Sequence, residues 1–409
     1  MTASRPSLKP SFVITLGLLT GISALTIDIS LPAVPSMAVA LATSLSKGQQ
    51  IVGIFMAGMA LGQIPAGLVS DRVGRLPVLY AGMTLFAIGG MAAALAKQID
   101  LLLIARFVQG FGAASAIVLS RAIVRDVASG KEAAKLMSLM MMIFTAAPVI
   151  APTIGALLVA QWNWRAPFMA IAVLGFVVLA AIRTNIYETH SGSESRHPVR
   201  QLIASFAEFF SHRQSIFGLL LIILPPAGFM SIIALAATLV VEIYGFSISQ
   251  FGFIFAAAGI SLLIGAAFNR YLVSRLESMQ IIGIGIALMA CSSAQLLFIA
   301  WLGYAPLLWL WSCVCLFMFS VAITLPNATV IALDPLPKIA GVASSIIGTL
   351  QNTFGACGAL VAAAIYNGSI RNCIIIIGSV GVLTSIVYLL RPILLPLGIF
   401  HHPDELARD

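Results

Sequence analysis

Charged and strongly polar positions are so sparse along this 409-residue chain that apolar runs follow one another nearly end to end, parted by short polar loops. Six such runs fall near residues 11–33, 50–70, 77–97, 101–123, 136–160 and 166–185. Six more fall near 215–241, 249–270, 279–301, 306–333, 341–366 and 372–395. Each can cross about 30 Å of hydrocarbon as a helix. The longest polar stretch, 184–214, contains Ser191-Gly192-Ser193-Glu194-Ser195 and divides the chain into near-equal halves. The pattern therefore predicts an all-α polytopic membrane protein with twelve transmembrane helices in two six-helix bundles. The expected divisions are 1–185, a linker at 186–213, 214–396, and a tail at 397–409. Inside the linker, Leu202, Ile203, Phe206, Phe209 and Phe210 recur at helical spacing beside Arg200 and Glu208. That spacing predicts either an amphipathic helix over Val199–Phe210 at the membrane surface or a helical tether without further role.

Composition agrees with this and closes off soluble classes. Hydrophobic residues make up 60% and charged residues 9%, with a mean hydropathy of +1.06, whereas an ordinary soluble domain is about 25% charged. The first run is expected to remain as a helix. A secretory signal has an apolar region of about 7 to 15 residues, and eleven further apolar segments follow here.

Lys and Arg gather on one side of the predicted topology. Arg5, Lys9, Arg72, Arg75, Arg121, Arg125, Lys131, Lys135, Arg183, Arg196, Arg200, Arg213, Arg270, Arg275, Lys338, Arg391 and Arg408 share a face, against Lys47, Lys97, Arg165 and Arg371 on the other. Because cytoplasmic loops carry the basic excess, both termini are expected in the cytoplasm. The net charge of +8 and pI near 9.5 are then topological, and no nucleic acid partner is implied. The five cysteines, Cys291, Cys313, Cys315, Cys357 and Cys373, lie in or beside predicted helices at spacings that suit neither disulfides nor zinc. All five histidines, His190, His197, His212, His401 and His402, fall in the linker region or tail, away from any proton path inside the membrane. No nucleophile, metal cluster or phosphate loop is visible, so neither enzyme chemistry nor a cofactor is expected.

One carboxylate breaks the first apolar run. Asp28 follows the uncharged stretch Ser11–Ile27, and an ionisable group at mid-membrane costs roughly 2.5 to 3.5 kcal/mol on insertion scales, so it is retained where it does something, such as carry a proton. It lies about 26 Å along the helix from Ser11, in the outer part of the bilayer. Arg106, six residues beyond Asp100, is about 9 Å below the same surface. Both also admit structural readings, Asp28 as a helix-end carboxylate near Pro32 and Pro35, Arg106 as a packing cation.

The halves echo each other. Gly67-x-x-x-Asp71-Arg72-x-Gly74-Arg75 returns as Gly265-x-x-x-Asn269-Arg270, and Asp126 with Lys131 returns as Asp334 with Lys338. Paired repeats of this kind let secondary transporters open one site alternately to either side. In the first copy, Gly67 and Gly74 are expected to allow close approach and a tight turn, while Asp71, Arg72 and Arg75 can pair with each other and with Asp126.

The stretch Gly67-Leu68-Val69-Ser70-Asp71-Arg72-Val73-Gly74-Arg75 resembles the loop 2–3 signature of the major facilitator superfamily. Three more stretches, Thr26-Ile27-Asp28-Ile29-Ser30-Leu31-Pro32-Ala33-Val34-Pro35, Arg106-Phe107-Val108-Gln109-Gly110 and Ala340-Gly341-Val342-Ala343-Ser344-Ser345, are similar to the Bcr/CflA group of drug:proton antiporters. The resemblance covers essentially the whole chain. It implies a proton-coupled exporter of drugs or small lipophilic molecules in the bacterial inner membrane, a monomer surrounded by lipid, with a small-molecule substrate and protons as partners. Export or import of an endogenous metabolite is the alternative, and a non-transporting sensor would lack any soluble domain.

The resemblance also assigns roles. Asp28 takes up a proton from outside and releases it inward under the influence of Arg106, and substrate competes for the same site. Gly67, Asp71, Arg72, Gly74, Arg75 and Asp126 form a latch over the cytoplasmic helix ends in the outward-facing state. Some related antiporters carry a second acid where this chain has Thr20, which favours a single exchanged proton; Glu242 is a further, interfacial acid. In the fifth segment Pro148, Pro152 and Gly155 resemble an antiporter motif, with Ala151-Pro152 in place of its usual Gly-Pro. Gly341, Ser344, Ser345 and Gly348 are expected to pack the bundles together. Candidates for the substrate cavity are Gln109, Phe229, Met230, Asn327, Gln351 and Asn352, with the run Met140, Met141, Met142 as either adaptable lining or ordinary packing.

Overall fold

The computed structural model describes residues 10–190 and 198–395. Among them are twelve helices long and apolar enough to cross a membrane. The first half holds α1 (Pro10–Ala40), α2 (Leu45–Val73), α3 (Arg75–Leu95), α4 (Ile99–Val127), α5 (Gly130–Gln161) and α6 (Ala166–Asn185). A linker helix, α7 (Pro198–Ser211), precedes α8 (Arg213–Ile243), α9 (Ile248–Val273), α10 (Ser278–Leu302), α11 (Leu307–Leu333), α12 (Ala340–Ile365) and α13 (Ile370–Leu389). A single short turn, α14 (Arg391–Leu394), follows.

Most helix ends lie within a few residues of the sequence pattern, but α5 begins early at Gly130, α13 stops early at Leu389, and α1 departs furthest. That helix does not stop near Ala33. It passes through one 3-10 turn, Leu31–Ala33, into Val34–Ala40. Pro32 and Pro35 each sit in the first turn of a new helical piece, where a missing N–H costs nothing. Asp28 is therefore no helix-end residue. About 18 Å of helix lies beyond it, and it sits deeper than a run ending at Ile27 suggested.

The duplication is visible as packing. In the first bundle α2 and α3 pack on α4, α1 on α5, and α3 on α6. The second bundle repeats each pair: α9 and α10 on α11, α8 on α12, α10 on α13. The contacts between bundles obey the same two-fold relation, since α2 packs along α12 while α5 packs along α9. Even the decayed motif retains a counterpart, with Asn327 Nδ2 on α11 donating to Asn269 Oδ1 at the end of α9, 2.7 Å away.

The linker helix lies at one end of the molecule, here the linker face, against α8 and α12. Phe209 is buried there while Ile203 and Phe210 stay exposed, so α7 presents an apolar side outward as well as inward. The side chain of Leu202, the segment Ser191–Ser195, Arg196, His197, and the predicted tail beyond 395 lie outside the described residues.

Candidate functional site

Small residues on α9 bring the two bundles into backbone contact. A Cβ added to Gly259 would come within 2.7 Å of the Pro148 carbonyl carbon, and one on Gly252 within 2.8 Å of the Thr153 Cα. On the other side of α5, Gly155 presses against the Ile29 carbonyl of α1. Pro148, Pro152 and Gly155 thus lie where α5 is wedged between α1 and α9, and α5 remains one helix through both prolines. Gly348 of α12 faces Gln63 Oε1 of α2 and Gly341 faces the Arg125 guanidinium of α4, so these small residues do pack the bundles together.

Between the bundles lies a cavity of about 110 Å³. Asp28, Ala24 and Ile27 line it from α1, Phe144 and Pro148 from α5, Phe229, Met230 and Ile233 from α8, Phe255, Ala258, Gly259 and Leu262 from α9, and Met318 from α11. An apolar cavity of about 150 Å³ accepts one benzene ring, so a larger molecule requires the bundles to part. Asp28 is 3% exposed and its carboxyl has no hydrogen-bond or ion-pair partner among the described residues.

Arg106 sits elsewhere. It is 0% exposed, and its Nη1 donates to Gln109 Oε1 at 2.7 Å. Longer contacts of 3.4 Å reach Ser30 Oγ and the Ile51 carbonyl, and the guanidinium lies 4.5 Å from the Phe55 ring centre and 5.7 Å from that of Phe168. Ser30 is two residues past Asp28, about 200° around the helix. Asp28 faces the cavity and Ser30 faces Arg106, so α1 stands between acid and guanidinium, and Arg106 makes no ion pair with Asp28 here.

Of the predicted cavity residues, Phe229 and Met230 line it. Gln109 is held behind α1 by Arg106, Asn327 is held by Asn269, and Asn352 Nδ2 donates to the Gly348 carbonyl at 3.0 Å. Neither these three nor Gln351 is among the lining residues, and the same holds for Met140, Met141 and Met142. Polar residue type at central depth was a poor guide because Gln109 and Asn352 bond within their own helices and Asn327 bonds across to α9, while the cavity wall is apolar. Thr20, at the place of a second acid in some antiporters, donates to Ser120 Oγ of α4 at 3.1 Å. Glu242 is exposed at the far end of α8, outside the cavity.

At the linker face, Arg75 bonds Asp71, and its Nε reaches Asp126 Oδ2 at 3.1 Å. Gly74, at φ +99°, makes the turn between α2 and α3. Two expectations fail there. Arg72 is exposed and joins no ion pair among the described residues, and a Cβ on Gly67 would meet only Val118 Cγ1 at 3.7 Å, ordinary contact. The sequence reading also missed a third strand of this cluster, the segment after α6. Glu188 accepts the N–H groups of Arg75 and Leu76 at 2.8 and 2.9 Å, Thr189 Oγ1 donates to Asp126 Oδ2 at 3.0 Å, and the His190 ring meets the Asp71 carbonyl at 3.3 Å. The side chains of Lys131 and Lys338 lie outside the described residues.

Twelve apolar helices in two packed repeats, with a cavity between them, define a multi-pass membrane protein built of two related helix bundles. The chain belongs to the Major Facilitator Superfamily, whose family model matches residues 16–358, and its relatives are of the Bcr/CflA type. It is 29% identical to a bicyclomycin resistance protein homolog of Haemophilus influenzae, over 86% of this chain and 88% of that one. It is 30% identical to the multidrug resistance protein MdtL of Shewanella oneidensis, over 89% and 91%. A solved D-xylose-proton symporter superposes with a TM-score of 0.76, covering 92% of this chain and 96% of its own at 18% identity, a likeness of fold. The family and these relatives are transporters rather than enzymes.

Proposed function

We propose that this protein is a proton-coupled antiporter that exports drugs or small lipophilic molecules across the bacterial inner membrane by alternating access. The observation that carries the reading is Asp28, a carboxyl buried to 3% exposure without a partner among the described residues, on the wall of the cavity between the two bundles. A group so placed exchanges one occupant for another. Loaded with a proton it tolerates an apolar surrounding, and loaded with substrate it must give that proton up. One acid in the cavity supports one exchanged proton per cycle. The names of the relatives, a bicyclomycin resistance homolog and a multidrug resistance protein, support drugs as the cargo.

On this reading, residues 1–185 and 214–396 move against each other about the closely packed α5 and α9, and the linker face, rich in Lys and Arg, is cytoplasmic together with both termini. Arg106 is a positioning residue, holding α1 through Ser30 so that Asp28 stays turned to the cavity. Gly74, Arg75, Asp71 and Asp126 tie the ends of α2, α3 and α4 into one rigid piece, with Gly67 and Arg72 beside them, and the protein works as a monomer in lipid.

Solute-driven proton release from the purified protein in detergent tests the reading. Wild type is expected to release protons when a phenicol or another lipophilic solute binds, and Asp28→Asn to bind with little or no release. Unchanged release from the variant would refute Asp28 as the coupling site and turn attention to Glu242.

A further inference from the structure

Two indole N–H groups tie α11 to both of its neighbours at one level. Trp309 Nε1 donates to Gln295 Oε1 of α10 at 3.2 Å, and Trp311 Nε1, on the opposite side of α11, donates to the Ile254 carbonyl of α9 at 2.7 Å. Trp311 is buried, and an indole has one donor and no acceptor to place. The carbonyl it uses also serves the N–H of Ala258 by the ordinary helical pattern. The bond therefore fixes the spacing of α9 and α11, yet losing it strands no backbone group. The residue after Ile254 is Phe255, which lines the cavity. Its ring is backed from behind: the Trp311 ring centre lies 6.2 Å away at 55°, and that of Phe251 lies 5.6 Å away at 49°. Neither Trp311 nor Phe251 is itself on the cavity wall. On its other flank α9 is pressed to α5 through Gly252 and Gly259, which stand about 60° and 40° from Phe255 around the helix. Phe255 is thus held at a level where α9 is fixed on both edges. Met318, two turns from Trp311 on the same face of α11, continues the wall.

We propose that Trp311 is a positioning residue that sets the size limit of the substrate: it touches no solute, but by holding α9 at Ile254 and backing the ring of Phe255 it keeps that side of the cavity narrow. The proposal rests on the reading that this cavity is where substrate sits. Because α9 and α11 belong to one bundle, alternating access leaves their contact unchanged while α5 moves away opposite. Phe255 is then the fixed edge against which a solute is measured when the bundles close again. A cavity smaller than the roughly 150 Å³ that accepts one benzene ring favours slim solutes with a single aromatic ring over those lengthened on the Phe255 side. Without the indole N–H, α9 is tied to α11 only by apolar contact at this level, the Phe255 ring can yield, and longer solutes fit.

Chloramphenicol and an analogue with one phenylene ring inserted before its nitro group differ in length at equal charge and with the same polar groups, and calorimetry on the purified protein reads the binding of both. Wild type is expected to prefer chloramphenicol by at least about tenfold. Trp311→Phe keeps a ring behind Phe255 and drops the N–H; it is expected to bind the long analogue about three- to fivefold more tightly, with chloramphenicol within about twofold of wild type. A residue that merely supports the fold would weaken both compounds in parallel, so parallel weakening, or an unchanged ratio, would overturn the proposal. Phe255→Ala should relax the preference further, and adding Trp311→Phe to it should change the ratio no more, because Trp311 acts through Phe255; additive effects would also overturn it. If Trp311→Phe does not fold, benzothienylalanine in place of Trp311 keeps the indole shape with sulfur for the N–H, and the same shift toward the long analogue is expected. A ratio relaxed by Phe255→Ala but not by the Trp311 substitutions would sink the proposal alone and leave the cavity as the substrate site. Both affinities untouched in Phe255→Ala, or neither compound bound by wild type, would refute the reading of the cavity as a phenicol site and the proposal with it.

Discussion

Four backbone N–H groups converge on the Glu188 carboxylate, those of Arg75, Leu76, Thr189 and His190, at 2.8 to 3.1 Å. Partial burial pushes this carboxyl up, but the four donors outweigh it and hold the acid below its ordinary value of 4.5. A depressed value stabilises the fold at pH above 4.5, and the contribution is lost as pH falls through the lowered value. Glu188→Gln should therefore cost about 0.3 to 1 kcal/mol at neutral pH, as expected for an exposed anion at a helix N-terminus, and wild type should lose more stability on acidification than the variant does. Thermal unfolding in detergent between neutral pH and about pH 3 would read both effects; parallel curves would remove Glu188 from the cluster. Asp28 was legible in the sequence because a charge in an apolar run has few innocuous explanations. Glu188 was not, since a carboxylate in a polar loop is unremarkable until the fold brings it to a helix start 113 residues earlier in the chain.

Helices as elements were the most readable level, because hydrocarbon of about 30 Å demands long apolar runs and leaves little freedom in their ends. The failure at α1 has a local cause: Pro32 and Pro35 read as terminators, yet each occupies a first-turn position where a helix tolerates proline. Contacts between elements were less legible, since a glycine states that something approaches but not what. Gly259 is the instructive case. It lets α9 touch the Pro148 backbone of α5 at a distance no other residue permits, beside the cavity and on the seam between the bundles. Gly259→Val is expected to separate α5 from α9, with an overpacking cost of about 1 to 3 kcal/mol, and to lower transport at least about tenfold while the protein still reaches the membrane. Gly67→Ala supplies the contrast, because its Cβ would meet only ordinary contact, and transport there should remain within about twofold of wild type. Equal loss in both variants would show that small residues matter for insertion rather than for this contact.

At the scale of the whole molecule, the two bundles are joined by few polar contacts, and these are unevenly placed. On the face opposite the linker, Ser46 Oγ of α2 donates to the Ala363 carbonyl of α12 at 2.6 Å, and Gln49 Nε2 donates to Thr238 Oγ1 of α8 at 2.9 Å. A third, Thr349 to Gln63, is long at 3.4 Å and lies nearer the middle. Polar contacts between the bundles thus concentrate on the far face, and Thr238 sits at the start of a π-helical turn, Thr238–Ile243, a geometry that often marks a functional site. Gln49 is buried, and its Oε1 has no partner among the described residues. Closing this face satisfies one amide atom and strands another. The bond gained is worth about 0.6 kcal/mol inside a membrane, whereas a stranded buried acceptor costs about 1 to 3 kcal/mol. The two ends of one hydrogen bond should therefore respond oppositely to substitution. Thr238→Val removes the acceptor and strands the whole Gln49 amide, so it should favour the state open on the far face by about fivefold or more. Gln49→Leu removes bond and stranded atom together and should leave closure unchanged or firmer. Spin labels at Ala42→Cys and Ile365→Cys, in a chain otherwise without cysteine, would report the separation of α1 and α12 at that face. A longer distance in Thr238→Val with none in Gln49→Leu is the expected result, and a longer distance in both would mean that the hydrogen bond simply holds the face shut.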